Sequence, residues 1–160
     1  MQLPVQLPVR VVPPDELESV IPLLLLAEPS EGALRWGLSH LSDTVYRLDA
    51  DGELVGAASM RWQGEPCELQ ELAIATEHQG RGFGKYLVQW LVDEARRRGR
   101  TALLVGTSNA AIGNIAFYQK CGFRMDHVRQ NYFRYYRTPV YENGIQVRDL
   151  LVFRYDLTAE

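Results

Sequence analysis

Gln79-Gly80-Arg81-Gly82-Phe83-Gly84-Lys85 joins a segment of strand character, Glu68 to Ala75, to an amphipathic stretch running from Gly84 to Arg98. Three glycines strip side chains from the turn that opens a helix. Glycine enters left-handed backbone at no steric cost, and a helix N-terminus carries unpaired N–H groups and a partial positive charge. Amides bared in this way close around an anion, and the leading reading of the turn is a pyrophosphate cradle. Two better-known phosphate loops fit badly. A dinucleotide fingerprint needs G-x-G-x-x-G, whereas these glycines fall at Gly80, Gly82 and Gly84. A P-loop needs Gly-Lys followed by Ser or Thr, but Lys85 is followed by Tyr86.

Outward from the loop, apolar periodicity gives the remaining elements. Arg10 to Val12 reads as a strand, Asp15 to Ala27 as a helix after Pro13-Pro14, and Ser30 onward as a second helix carrying Leu34, Leu38 and Leu41. Tyr46 to Leu48 and Leu54 to Trp62 alternate around the turn dipeptide Asp51-Gly52, a hairpin pattern. The helix after the loop sets Phe83, Leu87, Trp90, Leu91 and Ala95 on one side, and Gly99 supplies its left-handed end. Thr101 to Val105 reads as a strand, followed by a helix capped by Ser108 or Asn109 and ending near Lys120 before Gly122. Strands near Phe123 to Arg129 and Gln146 to Tyr155 complete an α+β chain: a mixed, mostly antiparallel sheet flanked by helices.

A chain of 160 residues with 46% hydrophobic and 23% charged residues reads as one domain over 1–160, with residues 1–8, most of the Gln-Leu-Pro-Val duplication that runs from Gln2 to Val9, as an extended arm. A net charge of -3 argues against a nucleic-acid binder, and Arg96, Arg97, Arg98 and Arg100 suit a helix C-terminus instead. Cys67 and Cys121 are too few for a disulfide scaffold, which points to a reduced, cytoplasmic setting. The apolar run Ile21 to Ala27 is too short to span a membrane, no secretory leader is evident, and the three histidines lack the spacing of a metal site.

With its preceding strand, the loop resembles the Q/R-x-x-G-x-G/A signature of the GNAT superfamily of acyl-CoA-dependent N-acyltransferases, with Gln79, Gly82 and Gly84 at the three defining positions. Asn114-Ile115-Ala116-Phe117-Tyr118-Gln119-Lys120-Cys121-Gly122-Phe123 is similar to a second family region, N-x-x-A-x-x-x-Y/F-x-K-x-G-F, and fits it position by position over its Y/F-x-K-x-G-F end, Tyr118 to Phe123. The order β-α-α-β-β-β-α-β-α-β-β is that of the GNAT fold, so the resemblance covers nearly the whole chain. It implies that the strand before the loop splays from its neighbour to form an acyl-CoA cleft. Leu72, Ala73 and Ile74 would then present backbone to pantetheine, and Gln79, Gly80, Arg81, Gly82, Phe83, Gly84 and Lys85 would surround the diphosphate of acetyl-CoA, with Asn114 a further coenzyme contact.

In that family a phenol at the place of Tyr118 protonates the departing thiolate. An alkyl amine is free base about once in 2,500 molecules at pH 7, so its proton needs an acceptor. The family often puts a glutamate on this strand, which makes Glu68 and Glu71 the candidates. Three residues apart on a regular strand, they should point to opposite faces, and position relative to the loop favours Glu68. Cys121 reads as a core filler, since direct transfer needs no covalent intermediate. The segment Asn131 to Gly144, with Tyr132, Tyr135 and Glu142, can hold a cationic amine by cation–π and charge contacts, or serve as a homodimer surface. Trp36 is either a pocket or a core residue. The expected activity is acetyl transfer from acetyl-CoA to a primary amine through a ternary complex. A non-catalytic acyl-CoA sensor, or a partner-binding module using the tyrosine-rich segment, are the alternatives.

Overall fold

The computed structural model describes residues 6–158. Among them, seven strands form one sheet in the order β1-β2-β3-β4-β5-β9-β6: β1 (Val9–Val11), β2 (Thr44–Ala50), β3 (Glu53–Arg61), β4 (Cys67–Ile74), β5 (Ala102–Ser108), β6 (Arg124–Arg129) and β9 (Leu150–Asp156). Every neighbouring pair is antiparallel except β4 and β5. Two further strands, β7 (Tyr141–Glu142) and β8 (Ile145–Gln146), make a separate hairpin. The α+β class and the mostly antiparallel sheet are as the sequence led one to expect. Of the expected N-terminal arm, residues 1–5 lie outside the described residues. Leu7 is held by the helix after the glycine loop, its N–H donating to the Tyr86 hydroxyl at 2.7 Å.

Helices cover both faces of the sheet. On one, α3 (Phe83–Arg97) buries Phe83, Leu87, Val88, Leu91, Val92 and Ala95, and α4 (Ile112–Lys120) buries Tyr118. These side chains pack with Val55, Met60, Leu69, Leu103 and Phe153 in the main core. On the other face, α1 (Ile21–Leu24) and α2 (Glu31–His40) pack Leu24 and Leu34 against Ala57 and Ala73. Gly99 takes the left-handed backbone expected at the end of α3. The arginines nearby are held locally: Arg97 and Arg98 pair with Glu94, and Arg98 lies 4.2 Å over the Trp62 ring.

Three local expectations need correction. The helix expected over Asp15 to Ala27 is a 3-10 turn, Pro14–Ser19, followed by the short α1. Pro22 explains the break, because a proline ring inside a helix clashes with the carbonyl four residues back and donates no N–H. Neither Ser108 nor Asn109 caps α4, whose N-cap is Ala111 with no side-chain bond. Asn109 instead clamps the chain before β9, its Oδ1 accepting from Arg148 N at 2.9 Å and Asp149 N at 3.0 Å. The last strand starts at Leu150 rather than Gln146, because Gln146 pairs with Tyr141 in the small hairpin.

β4 and β5 pair only at Cys67↔Leu103, Glu68↔Leu104 and Leu69↔Val105. Beyond these, β4 continues against β3 and β5 against β9, so the sheet splits into a wedge. Gly106 stands where the split opens, and a Cβ there would meet Leu150 Cδ2 at 2.6 Å and Cγ at 2.7 Å. Leu150 is buried against Leu104 and Val152, so making room for that Cβ would disturb their packing. Gly106→Ala is therefore expected to destabilise the chain by about 1–3 kcal/mol, the usual scale of overpacking. Urea midpoints read this directly, and an unchanged midpoint would refute the close approach.

Candidate active site

The wedge opens into a cleft of ≈ 870 Å³. One end is the glycine loop. Gly80 and Gly82 have φ of 75° and 91°, and Gly82 is the left-handed N-cap of α3. The first bond closing the helix runs from Tyr86 N to Gly82 O at 3.0 Å. Among the described residues, the N–H groups of Phe83, Gly84 and Lys85 therefore have no protein acceptor, as helix geometry requires of a first turn. A Cβ on Gly84 would stand 3.2 Å from Phe117 Cζ, so glycine here lets α3 approach α4 closely. Lys85 is exposed at the mouth, while Arg81 folds back toward His78 Nδ1 at 3.1 Å and over the Phe83 ring. Gln79 donates to Ile74 O at 3.0 Å. Bared amides, a helix N-terminus and a flanking lysine are the donor set that a diphosphate requires.

The open edge of β4 forms one wall. Ala75 N donates to Val55 O at 2.9 Å. Alternation along an antiparallel ladder then turns the backbone of Ala73 toward its partner Ala57 and that of Leu72 and Ile74 toward the split. Of the three residues expected to offer backbone to a ligand, Leu72 and Ile74 face the opening and Ala73 is already paired.

The two glutamates do not diverge as a regular strand demands. Ser59 pairs with Glu71 and Met60 with Leu69, leaving Gln70 as an extra residue in β4. Such a bulge shifts the side-chain alternation by one. Cys67 and Leu69 pack in the main core and Ala73 in the core on the opposite face. Glu68 and Glu71 accordingly share that opposite face, and both line the cleft. Their surroundings differ sharply. Glu68 is buried and held by Arg129 at 2.7 Å and by Gln70 Nε2 at 2.6 Å, with Arg61 4.0 Å away. Glu71 has no hydrogen bond or ion pair among the described residues. Burial, reinforced by the nearby charge of Glu28, pushes its carboxyl up to about 8.

Tyr118 comes from the other face. Its ring packs against Phe117, Phe123 and Phe153, while its hydroxyl, without a protein partner among the described residues, lines the cleft. Burial above all, with smaller contributions from Glu71 and Cys121, pushes its pKa up, so the phenol stays protonated at neutral pH. The split in the sheet thus brings a phenol from one face and a carboxylate from the other into one cleft. Asn114 Nδ2 donates to Thr107 Oγ1 at 3.3 Å, tying α4 to the end of β5. Cys121 is half-buried, and burial pushes its thiol up.

A roof made by residues 131–149 closes the far end. Asn143 and Gly144 both have positive φ, as a two-residue hairpin turn requires, and Asn143 Nδ2 donates to Ala110 O at 2.9 Å. Tyr135 and Tyr136 point their hydroxyls at one carboxylate, Glu28, at 2.5 and 2.7 Å. Glu28, 7% exposed, is the cleft residue that the sequence reading passed over. Its signal was there: a single acid closing the apolar run Ile21 to Ala27. Tyr132 is half-buried under the roof, Glu142 is exposed on its hairpin, and Trp36, at 54% exposure and stacked on His40, stands at the rim instead of in the core.

Comparison with known proteins agrees with this architecture. The Acetyltransferase (GNAT) family model matches residues 18–123. The chain belongs to the GNAT acetyltransferase family. It is 34% identical to the uncharacterized N-acetyltransferase YvbK of Bacillus subtilis, over 84% of this chain and 87% of that one. A Bacillus subtilis acetyltransferase solved with CoA superposes with a TM-score of 0.83 at 31% identity, covering 94% of this chain and 99% of the other. A GNAT acetyltransferase of Elizabethkingia anophelis with acetyl-CoA bound gives 0.83 at 28% identity, covering 96% and 99%. As a member of this family the chain is an N-acetyltransferase.

Glu71 also couples this site to stability. Below about pH 4.5 its carboxyl is protonated in both the folded and the unfolded chain. Between about 4.5 and about 8 only the unfolded chain ionises, so stability falls as pH rises, and above 8 the full penalty remains. Glu71→Gln is expected to gain stability over the wild type at pH 9 but not at pH 4.5, a difference of about 2 kcal/mol or more. Denaturant midpoints at the two pH values test it. An equal effect at both would mean that Glu71 is not held near-neutral by the fold.

Proposed function

We propose that the chain transfers an acetyl group from acetyl-CoA to a primary amine in a ternary complex formed in the split sheet. The observation that carries this reading is the meeting of Glu71 and Tyr118, from opposite faces of the sheet, in a cleft that ends at the glycine-opened N-terminus of α3. The CoA and acetyl-CoA held by the two similar structures support the choice of donor.

The diphosphate would lie on the amides of residues 79–85 with Lys85 beside it, and Asn114 would border the coenzyme. The pantetheine amides would take up the backbone groups of Leu72 and Ile74, which supply the hydrogen bonds that a missing strand would otherwise make. Glu71 accepts the proton of the incoming ammonium, directly or through a water. Its raised pKa suits that task, since a base near the working pH is both available and strong enough to help. The freed amine attacks the thioester carbonyl carbon, and the Ile74 amide or a neighbour steadies the oxyanion. The C–S bond then breaks as Tyr118 gives its proton to the sulfur, and the second proton that the acylated nitrogen must lose returns to the Tyr118 phenolate, directly or through a water. Glu68, neutralised by Arg129 and Arg61, shapes this wall without acting as the base.

Tyr118→Phe should lower kcat by about 10²- to 10⁴-fold, the range for loss of a general acid, with the KM for acetyl-CoA within about twofold. Glu71→Gln should remove the acidic limb near pH 8 from the kcat/KM profile. Thiol release over a panel of alkylamines, diamines, amino acids and peptides measures both. Unchanged turnover in Tyr118→Phe removes the phenol from the mechanism. Tight acetyl-CoA binding with no thiol release from any amine would favour a sensor.

A further inference from the structure

The acceptor end of the cleft carries negative charge that the protein leaves unbalanced. Glu28 receives neutral donors alone: the Tyr135 and Tyr136 hydroxyls and the Ser30 N–H at 3.1 Å. No cation pairs with it among the described residues, although it is 7% exposed and buried carboxylates normally find one. Glu71 faces the same space with no partner, and Glu142 stands on the roof hairpin. Glu68 has its own arginines. Lys85 is the one lysine or arginine among the described lining residues, and it sits at the opposite, glycine-loop end. The walls around Glu28 are the aromatic rings of Tyr132, Tyr135 and Tyr136, which favour cations over their faces.

Resting on the acetyl-transfer reading, we infer that the acceptor is a diamine or polyamine, with one ammonium reacting at Glu71 and a second, unreacted ammonium balancing Glu28. The argument is one of charge conservation. A monoamine that passes its proton to Glu71 becomes neutral and leaves Glu28 with no counter-charge in a part-buried cleft. A second ammonium remains charged throughout and holds the acceptor while the first nitrogen attacks. A carboxylate at the same place meets Glu28 as a like charge and is rejected. The two tyrosine hydroxyls fix the carboxylate of Glu28 and fill much of its accepting capacity, so it acts mainly as a fixed charge with one face toward the cleft.

Three acceptors of equal length separate these cases: 1,5-diaminopentane, pentylamine and 5-aminopentanoate, compared by thiol release at pH 9 with saturating acetyl-CoA. At that pH Glu71 is ionised, and most of each amine is still protonated. The expected kcat/KM is at least about tenfold higher for the diamine than for pentylamine, and about tenfold lower again for the amino acid. Glu28→Gln, which keeps an oxygen for a tyrosine hydroxyl, should bring the diamine to within about twofold of pentylamine while acetyl-CoA binding is unchanged. Equal use of all three acceptors by the wild type overturns the inference and leaves acetyl transfer standing. A diamine preference that survives in Glu28→Gln overturns the assignment to Glu28. No thiol release with any of the three, despite bound acetyl-CoA, overturns the inference, and acetyl transfer falls with it only when the wider panel of amines and peptides also releases no thiol.

Discussion

Strands β4 and β5 exchange hydrogen bonds over three residue pairs and then part, and the candidate site depends on that separation. Buried backbone groups need partners, so an open strand edge inside a fold is costly unless something completes it. Two local features hold the wedge open. The bulge at Gln70 turns the end of β4, and Gly106 lets Leu150 pack where a side chain on β5 would otherwise stand. The result is a gap that an extended amide-bearing chain can fill. The same gap joins two faces of a sheet that would ordinarily be sealed from each other, which is how Tyr118 and Glu71 come to share a cavity.

Electrostatics then divide the work between similar side chains. Glu68 and Glu71 stand on one strand, on one face, three residues apart, yet Glu68 is held by arginines and Glu71 has no partner among the described residues. An ion-paired carboxylate is a poor proton acceptor, because its charge is already stabilised. An isolated one in a part-buried cleft, beside a second acid, takes up a proton far more readily. In the proposed mechanism the role of base, drawn toward Glu68 by its position along the strand, is therefore assigned to Glu71. Glu28 contributes from a distance, as a fixed charge held by two phenols.

The donor half of the site was legible because it is written locally. The glycines at 80, 82 and 84, and the run from Asn114 to Phe123, set helix ends and faces within a few residues of themselves, and such features survive being read one segment at a time. The acceptor half was legible only in part: Tyr132, Tyr135, Glu142 and Trp36 stood out and line the cleft, and Glu28 did not. Glu28 meets Tyr135 and Tyr136 across 107 and 108 positions, and no local pattern announces a contact of that range. The bulge at Gln70 was hidden for a related reason: alternation along one strand cannot show that its partner skips a residue. Pro22 was a different matter, since a proline in mid-helix was a readable stop that the apolar run around it outweighed.

This division has a mechanistic consequence. The donor surface is built chiefly from main-chain groups of β4 and the glycine loop, which any side-chain set able to keep the wedge will present in the same way. On the proposed reading, the acceptor surface is built from side chains on two segments, the α1–α2 link and residues 131–149, that lie away from the glycine loop. Exchanging a tyrosine or an acid in either segment changes which amine is held while the backbone edge of Leu72 and Ile74 stays as it is. A fold arranged like this accepts new acceptors without rebuilding its coenzyme site, and for that reason the charge around Glu28 bears on the substrate more directly than the fold itself does.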